Sequence, residues 1–178
     1  MAQHLPEGAV TFAFPDEWSI CRPAGCAFYS KHFQSFCGGA KELDFLAYDP
    51  AGRVLWLVEV KDYRANARGK DLSVWDEIAL KTRDSLALLP AAGANDHNSA
   101  ASVGSGLREF WQKCRSFSRV RVVLHCELPD PPSKLFPGVK DAANIAAKLR
   151  WAVRVVDPHA LVTSMAAPTS TPWQVTPT

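Results

Sequence analysis

Two neighbouring runs, "AKELDFLAYD" and "RVLWLVEVKDY", carry apolar residues in the short period of β-strands. Between them lies "DPAG", whose Asp, Pro and Gly suit a tight turn, so the pattern predicts an antiparallel hairpin. From Asp71 the period lengthens. In "DLSVWDEIALKTRDSLALLPAA", Trp75, Ile78, Ala79, Thr82, Leu86 and Leu89 fall on one helical face, with Ser73 and Asp76 as a capping box and Pro90 at the end. The small and polar residues 91–106 read as a surface loop. Then come a short helix "GLREFWQKCRSF", a β-branched strand "RVRVVLHCEL", an alanine-rich helix "VKDAANIAAKLR" and a last strand "WAVRVVD".

From residue 40 the order is therefore strand, strand, helix, helix, strand, helix, strand. A hairpin followed by helices alternating with strands implies an α/β fold, a mixed central β-sheet flanked by helices. The length of 178 residues suits one domain, expected over 1–163. Residues 164–178, "SMAAPTSTPWQVTPT", have no apolar period and are expected to be a flexible Pro/Thr-rich tail.

Composition changes this picture little. The chain is 47% hydrophobic and 21% charged, with a net charge of +2, so no global basic field announces a nucleic-acid partner. No window has the length of a membrane span, and the start lacks the features of a secretory signal. No membrane partner is expected, and the expected compartment is the cytoplasm. Five cysteines without an even spacing suit reduced thiols.

The informative feature is charge inside the two strands. Strand parity puts Glu42 and Asp44 on one face and Leu43 and Phe45 on the other; it likewise separates Glu59 and Lys61 from Val58 and Val60. In an edge hairpin these would be solvent-facing positions, with Lys61 pairing an acid for ~0–1 kcal/mol. However, "LWLVEV" is apolar on both faces up to Glu59, the mark of an internal strand, where a carboxylate requires a partner or a metal.

"LDFLAYD" followed by "LWLVEVKDYR" resembles the active-site hairpin of the PD-(D/E)XK nuclease superfamily: an acid on one strand, a variable turn, then E-x-K on the next. The match departs at Leu43, where the motif has proline. The resemblance implies a restriction-endonuclease-like core and a nuclease dependent on Mg²⁺ or Mn²⁺ that hydrolyses phosphodiester bonds, of DNA in preference to RNA. Asp44 and Glu59 would be metal ligands together with the Val60 carbonyl, and Lys61 would assist the attacking water. Hard oxygen donors suit such a cation, which lowers the pKa of a bound water.

In the family the helix after the motif often adds a basic residue. Lys81 and Arg83, which flank the apolar stripe, are the candidates, with Lys81 preferred. Glu42 is a possible outer ligand, and Glu17, ahead of Glu7, is the candidate acid from the first third. A homodimer, or a partner protein in a larger system, fits the same resemblance. The reading from another class is a catalytically silent module of this fold that binds nucleic acid or a protein in a defence or repair system.

Other constellations are weaker. Cys21, Cys26, His32 and Cys37 approach a zinc-knuckle spacing, but the first gap is too long. His125, Cys126 and Glu127 end a strand, where a histidine is expected to be structural. Trp18, Trp56, Trp75, Trp111 and Trp151 are expected in core packing, and Trp173 as an anchor for a partner.

Overall fold

The computed structural model describes residues 2–64, 72–94, 105–128, 139–167 and 171–178. The strands are β1 (Gln3–Glu7), β2 (Val10–Phe14), β3 (Ser19–Cys21), β4 (Phe45–Asp49), β5 (Val54–Asp62), β6 (Arg119–Glu127), β7 (Leu161–Thr163) and β8 (Gln174–Pro177). The α-helices are α1 (Val74–Gly93), α2 (Ser105–Cys114) and α3 (Val139–Ala152). The fold is α/β. A mixed five-stranded sheet runs β3-β4-β5-β6-β7, with antiparallel pairing up to β5 and parallel pairing from β5 to β7.

The hairpin forms as its pattern predicts, with Phe45 opposite Val58 and Asp49 opposite Val54. Its turn is fixed by Asp49, whose Oδ1 accepts from the amides of Ala51 at 3.0 Å and Gly52 at 3.1 Å. A Cβ at Gly52 would lie 2.5 Å from Asp49 Oδ2, so a larger residue there would push on the carboxylate that fixes the turn. Strand β5 is internal. Leu55 and Leu57 pack under the helices with Ile78, Leu88, Leu107 and Leu149, while Val54, Trp56 and Val58 face the opposite way.

The helices pack on one face of the sheet. The other face is covered by a second, antiparallel sheet ordered β1-β2-β8, built from the two ends of the chain. This corrects the expectation of a flexible tail. Val10 pairs with Pro177 and Phe12 with Val175, and Trp173 is buried, its ring 5.2 Å from Phe14 and 5.1 Å from Trp56. A short edge strand needs few apolar residues and tolerates proline, so composition hid it; one buried tryptophan anchors it.

Two further boundaries differ. Helix α1 is capped by Ser73, whose hydroxyl accepts from the Asp76 amide at 3.2 Å, but it continues through Pro90 to Gly93. "WAVRVVD" is no strand: α3 extends to Ala152, the chain turns, and the strand that joins the sheet is β7. Valine content suggested a strand, yet Val153 continues the helical bonding to Leu149. Trp151, expected in the core, is 68% exposed. Most of the expected 91–106 loop, residues 95–104, lies outside the described residues. No helix among the described residues is long and apolar enough to cross a membrane.

Candidate active site

Strand β5 outruns its partner. Strand β4 begins at Phe45, opposite Val58, so Glu59, Val60 and Lys61 extend past the antiparallel pairing and are held by β6 alone. An amide that loses its ladder partner needs another acceptor. Asp44, one residue ahead of β4, supplies it: its Oδ2 accepts from the Val60 amide at 2.7 Å. Asp44 and Glu42 thus precede the strand instead of lying within it.

The approach to Asp44 is held by α1. The Lys41 amide donates to Asp84 Oδ2 at 3.0 Å, and the Leu43 amide to Ser85 Oγ at 3.3 Å. Asp84 and Ser85 are both buried. They fix the segment that presents the carboxylate.

Glu59 has no solvent exposure. Its Oε1 accepts from Lys61 Nζ at 2.5 Å and from Lys81 Nζ at 2.6 Å. Parity places Lys61 on the same face of β5, and α1 lies across that face, so helix and strand each deliver one ammonium. Glu59 Oε2, also buried, has no hydrogen-bond partner among the described residues. Burial pushes the Glu59 carboxyl above the usual carboxylate range and the Asp44 charge adds to the rise, while Lys81 and Lys61 offset only part of it. Burial pulls Lys61 down, but Glu59, Glu77 and Asp44 outweigh it, so its ammonium is held above the ordinary lysine value.

The structure therefore brings Asp44, Glu59, Val60, Lys61 and Lys81 together, and leaves three candidates apart. Arg83 is 67% exposed on its side chain and pairs with Asp84. Glu42 lies against the Tyr29 hydroxyl, whose proton burial and Glu42 hold more tightly. Glu17 is exposed in the turn between β2 and β3; Glu7, the other acid of the first third, pairs with Arg22.

One residue was missed. Glu77, 1% exposed on α1, places Oε1 3.6 Å from Lys61 Nζ. The signal was available: Glu77 stands four residues before Lys81 and next to Ile78, a charged pair on a face that buries apolar side chains.

A buried carboxylate oxygen without a donor, beside a second carboxylate, suits a hard divalent cation. The protein donors are few. Among the described residues no group of three or more His, Cys, Asp or Glu side chains is placed to hold a metal, and this includes the Cys21, Cys26, His32 and Cys37 set. A cation on Asp44, Glu59 and the Val60 carbonyl would keep several waters, as Mg²⁺ does with one or two carboxylates.

His125, at the end of β6, is structural in its contacts. It is buried, with Nδ1 3.0 Å from Thr163 Oγ1 and Nε2 2.9 Å from Glu127 Oε1. Its side chain lies on the opposite sheet face from Glu59, against Phe12.

No known protein family matches the chain, and no solved structure matches it. The chain is similar to a cysteine–tRNA ligase of Neisseria meningitidis serogroup A, 28% identical over 172 residues. That similarity takes in 79% of this chain and 23% of the ligase, so the chain spans about a quarter of the length of the relative it matches.

Proposed function

We propose that the protein is a divalent-metal-dependent nuclease with a restriction-endonuclease-like core, acting in the cytoplasm on phosphodiester bonds, of DNA in preference to RNA. The observation that carries this reading is Glu59: a carboxylate with no exposure, one oxygen shared by two lysines and the other unpaired, next to Asp44. Most buried polar atoms are paired, and the unpaired one here is a carboxylate oxygen whose neighbour Asp44 also carries negative charge. Bound Mg²⁺ or Mn²⁺ would supply a water of lowered pKa and neutralise charge growing on the phosphate.

The chain's own part follows from the contacts. Asp44 and Glu59 orient the oxygen donors, Asp44 being fixed by the Val60 amide. Lys61 and Lys81 share one carboxylate oxygen, so either ammonium can turn to a scissile phosphate oxygen while the other keeps Glu59 paired. Glu59 and, after it, Glu77 keep Lys61 charged at the end of β5. A homodimer, or a partner protein in a larger system, remains part of the proposal.

The second reading is a catalytically silent module that binds nucleic acid, and the similarity to a stretch of a cysteine–tRNA ligase favours it, with tRNA as the nucleic acid. One experiment separates the two. Supercoiled, linear and single-stranded DNA and bulk tRNA are incubated with the protein and Mg²⁺ or Mn²⁺, alongside Asp44→Ala and Lys61→Ala. Metal-dependent cleavage by the wild type alone supports the nuclease. Binding without cleavage, unchanged in both folded variants, supports the silent module and refutes the nuclease.

A further inference from the structure

Two thiols outside this site stand within reach of each other. Cys21 closes β3 and is buried; Cys26 is half-buried. Between them the chain doubles back through a short 3-10 turn, with the Gly25 amide bonded to the Arg22 carbonyl at 3.1 Å and the Cys26 amide to the Pro23 carbonyl at 2.8 Å. The turn brings Cys21 Sγ and Cys26 Sγ to 3.8 Å, and all five cysteines are free. Neither cysteine belongs to the Glu59 cluster, so this pair stands whether or not the nuclease reading does.

We propose that Cys21 and Cys26 form a thiol–disulfide exchange site that takes a small-molecule disulfide of the glutathione type, with Cys26 as the attacking sulfur and Cys21 as the resolving one. The division of roles follows from access, since an incoming disulfide meets Cys26 first. Electrostatics agree. The hydrogen bond from Cys21 lowers the Cys26 thiol to about 7, against the opposing effect of burial, while the same bond and burial push Cys21 far above the ordinary thiol value. Of the two thiols Cys26 loses its proton the more readily, and its thiolate is the attacking form.

The chemistry balances in two exchanges. Cys26 thiolate forms a bond to one sulfur of the small disulfide, whose S–S bond breaks and expels a small thiolate. Cys21 then loses its proton to that thiolate and attacks Cys26 Sγ, and the second small thiolate leaves and is protonated from solvent. The protein loses two hydrogens and the small disulfide is reduced to two thiols. The closed ring would enclose Arg22, whose side chain donates to the Pro6 carbonyl at 3.1 Å, pairs with Glu7 and lies 5.1 Å over the Phe45 ring. The disulfide would thus fix the turn that ties β1 to the mixed sheet.

The test treats the reduced full chain with oxidised glutathione at neutral pH, quenches with acid, and maps products by intact mass and peptide mass spectrometry. The wild type is expected to lose two hydrogens, with the peptides of Cys21 and Cys26 joined. Cys26→Ser should lose this product entirely, and Cys21→Ala should retain one glutathione on Cys26. A wild type that keeps glutathione on Cys26, reacts only at Cys37, or leaves Cys26 untouched overturns the proposal. If Cys21→Ala fails to fold, alkylation of wild-type Cys26 against pH decides: half-maximal rate near 7 supports the pairing, and a midpoint at the ordinary free-thiol value of about 8.5 refutes it.

Discussion

Replacing Glu59 by glutamine tests whether the charged cluster serves stability or chemistry, because the two readings give different costs. Were the cluster a structural ion-pair network, removing its central carboxylate would leave two ammonium groups facing each other with side chains only 19% and 14% exposed. Breaking a buried pair in that way costs about 3–5 kcal/mol. The site argues for less. Burial raises the Glu59 pKa by more than the two lysines lower it, so its folded-state value lies above the unfolded one. The stability such a group contributes is present below the unfolded value and is lost as pH rises through the folded one. In its ionised form the carboxylate is thus a burden on the fold, and a neutral isostere removes it. The glutamine oxygen still accepts from a lysine, and Lys61 keeps Glu77 at 3.6 Å.

The expected change for Glu59→Gln is therefore within about 1 kcal/mol of the wild type, with the proposed cleavage lost. Lys81→Met, which takes away a partner and leaves the buried charge, should cost about 3 kcal/mol. Urea unfolding followed by tryptophan fluorescence at neutral pH measures both, provided the slope with denaturant is unchanged. A loss of 3 kcal/mol or more in Glu59→Gln, equal to that in Lys81→Met, refutes the reasoning and makes the cluster structural.

Three other perturbations have clear expectations. Trp173→Ala removes a buried ring from between Phe14, Trp18 and Trp56 and should cost about 3–5 kcal/mol in the same unfolding measurement. Asp157→Ala strips the acceptor from the amides of Val122, at 2.8 Å, and His159, at 2.9 Å, and should cost about 2–3 kcal/mol, with faster hydrogen exchange at Val122. Lys61 has a folded-state pKa above its ordinary value of 10.5, so its stabilisation is intact below that pH and is lost as pH rises through the folded value. The urea midpoint should fall in that alkaline range, and Lys61→Met should flatten the fall.

The hairpin and the parallel strand after it were legible because strand parity and β-branched content act locally. The second sheet was not: β8 is short, and what holds it is one tryptophan meeting aromatic residues from β2 and β5, a contact that no periodicity carries. The helical face of α1 was misjudged for a related reason. Glu77, Asp84 and Ser85 are buried polar residues, so a search for apolar spacing centred the stripe toward Trp75 and Leu86, which are only partly covered. Those same polar residues hold Lys61 and the segment before Asp44. The part of the pattern that looked like noise was the part that builds the site.

The same consideration decides how Asp44 should be weighed. Asp44 and Asp157 do similar backbone work, since each accepts an amide left over where a strand outruns its neighbour: Val60 on β5 and Val122 on β6. Termination of a ladder therefore explains a carboxylate at either place, and by itself gives Asp44 no role in chemistry. What separates them is the company each keeps. Asp157 is 2% exposed and is engaged by Val122, His159 and Arg121, so its charge is spent. Asp44 is partly open to solvent, and its charge raises the pKa of a neighbouring carboxyl that has an unpaired oxygen. Lys61 and Lys81 offset only part of the burial cost and of the repulsion between the two carboxylates, and a bound divalent cation would relieve more of it. Thus the unfavourable electrostatics at Asp44 and Glu59, more than the presence of an acid at the motif position, are what the proposed nuclease site rests on.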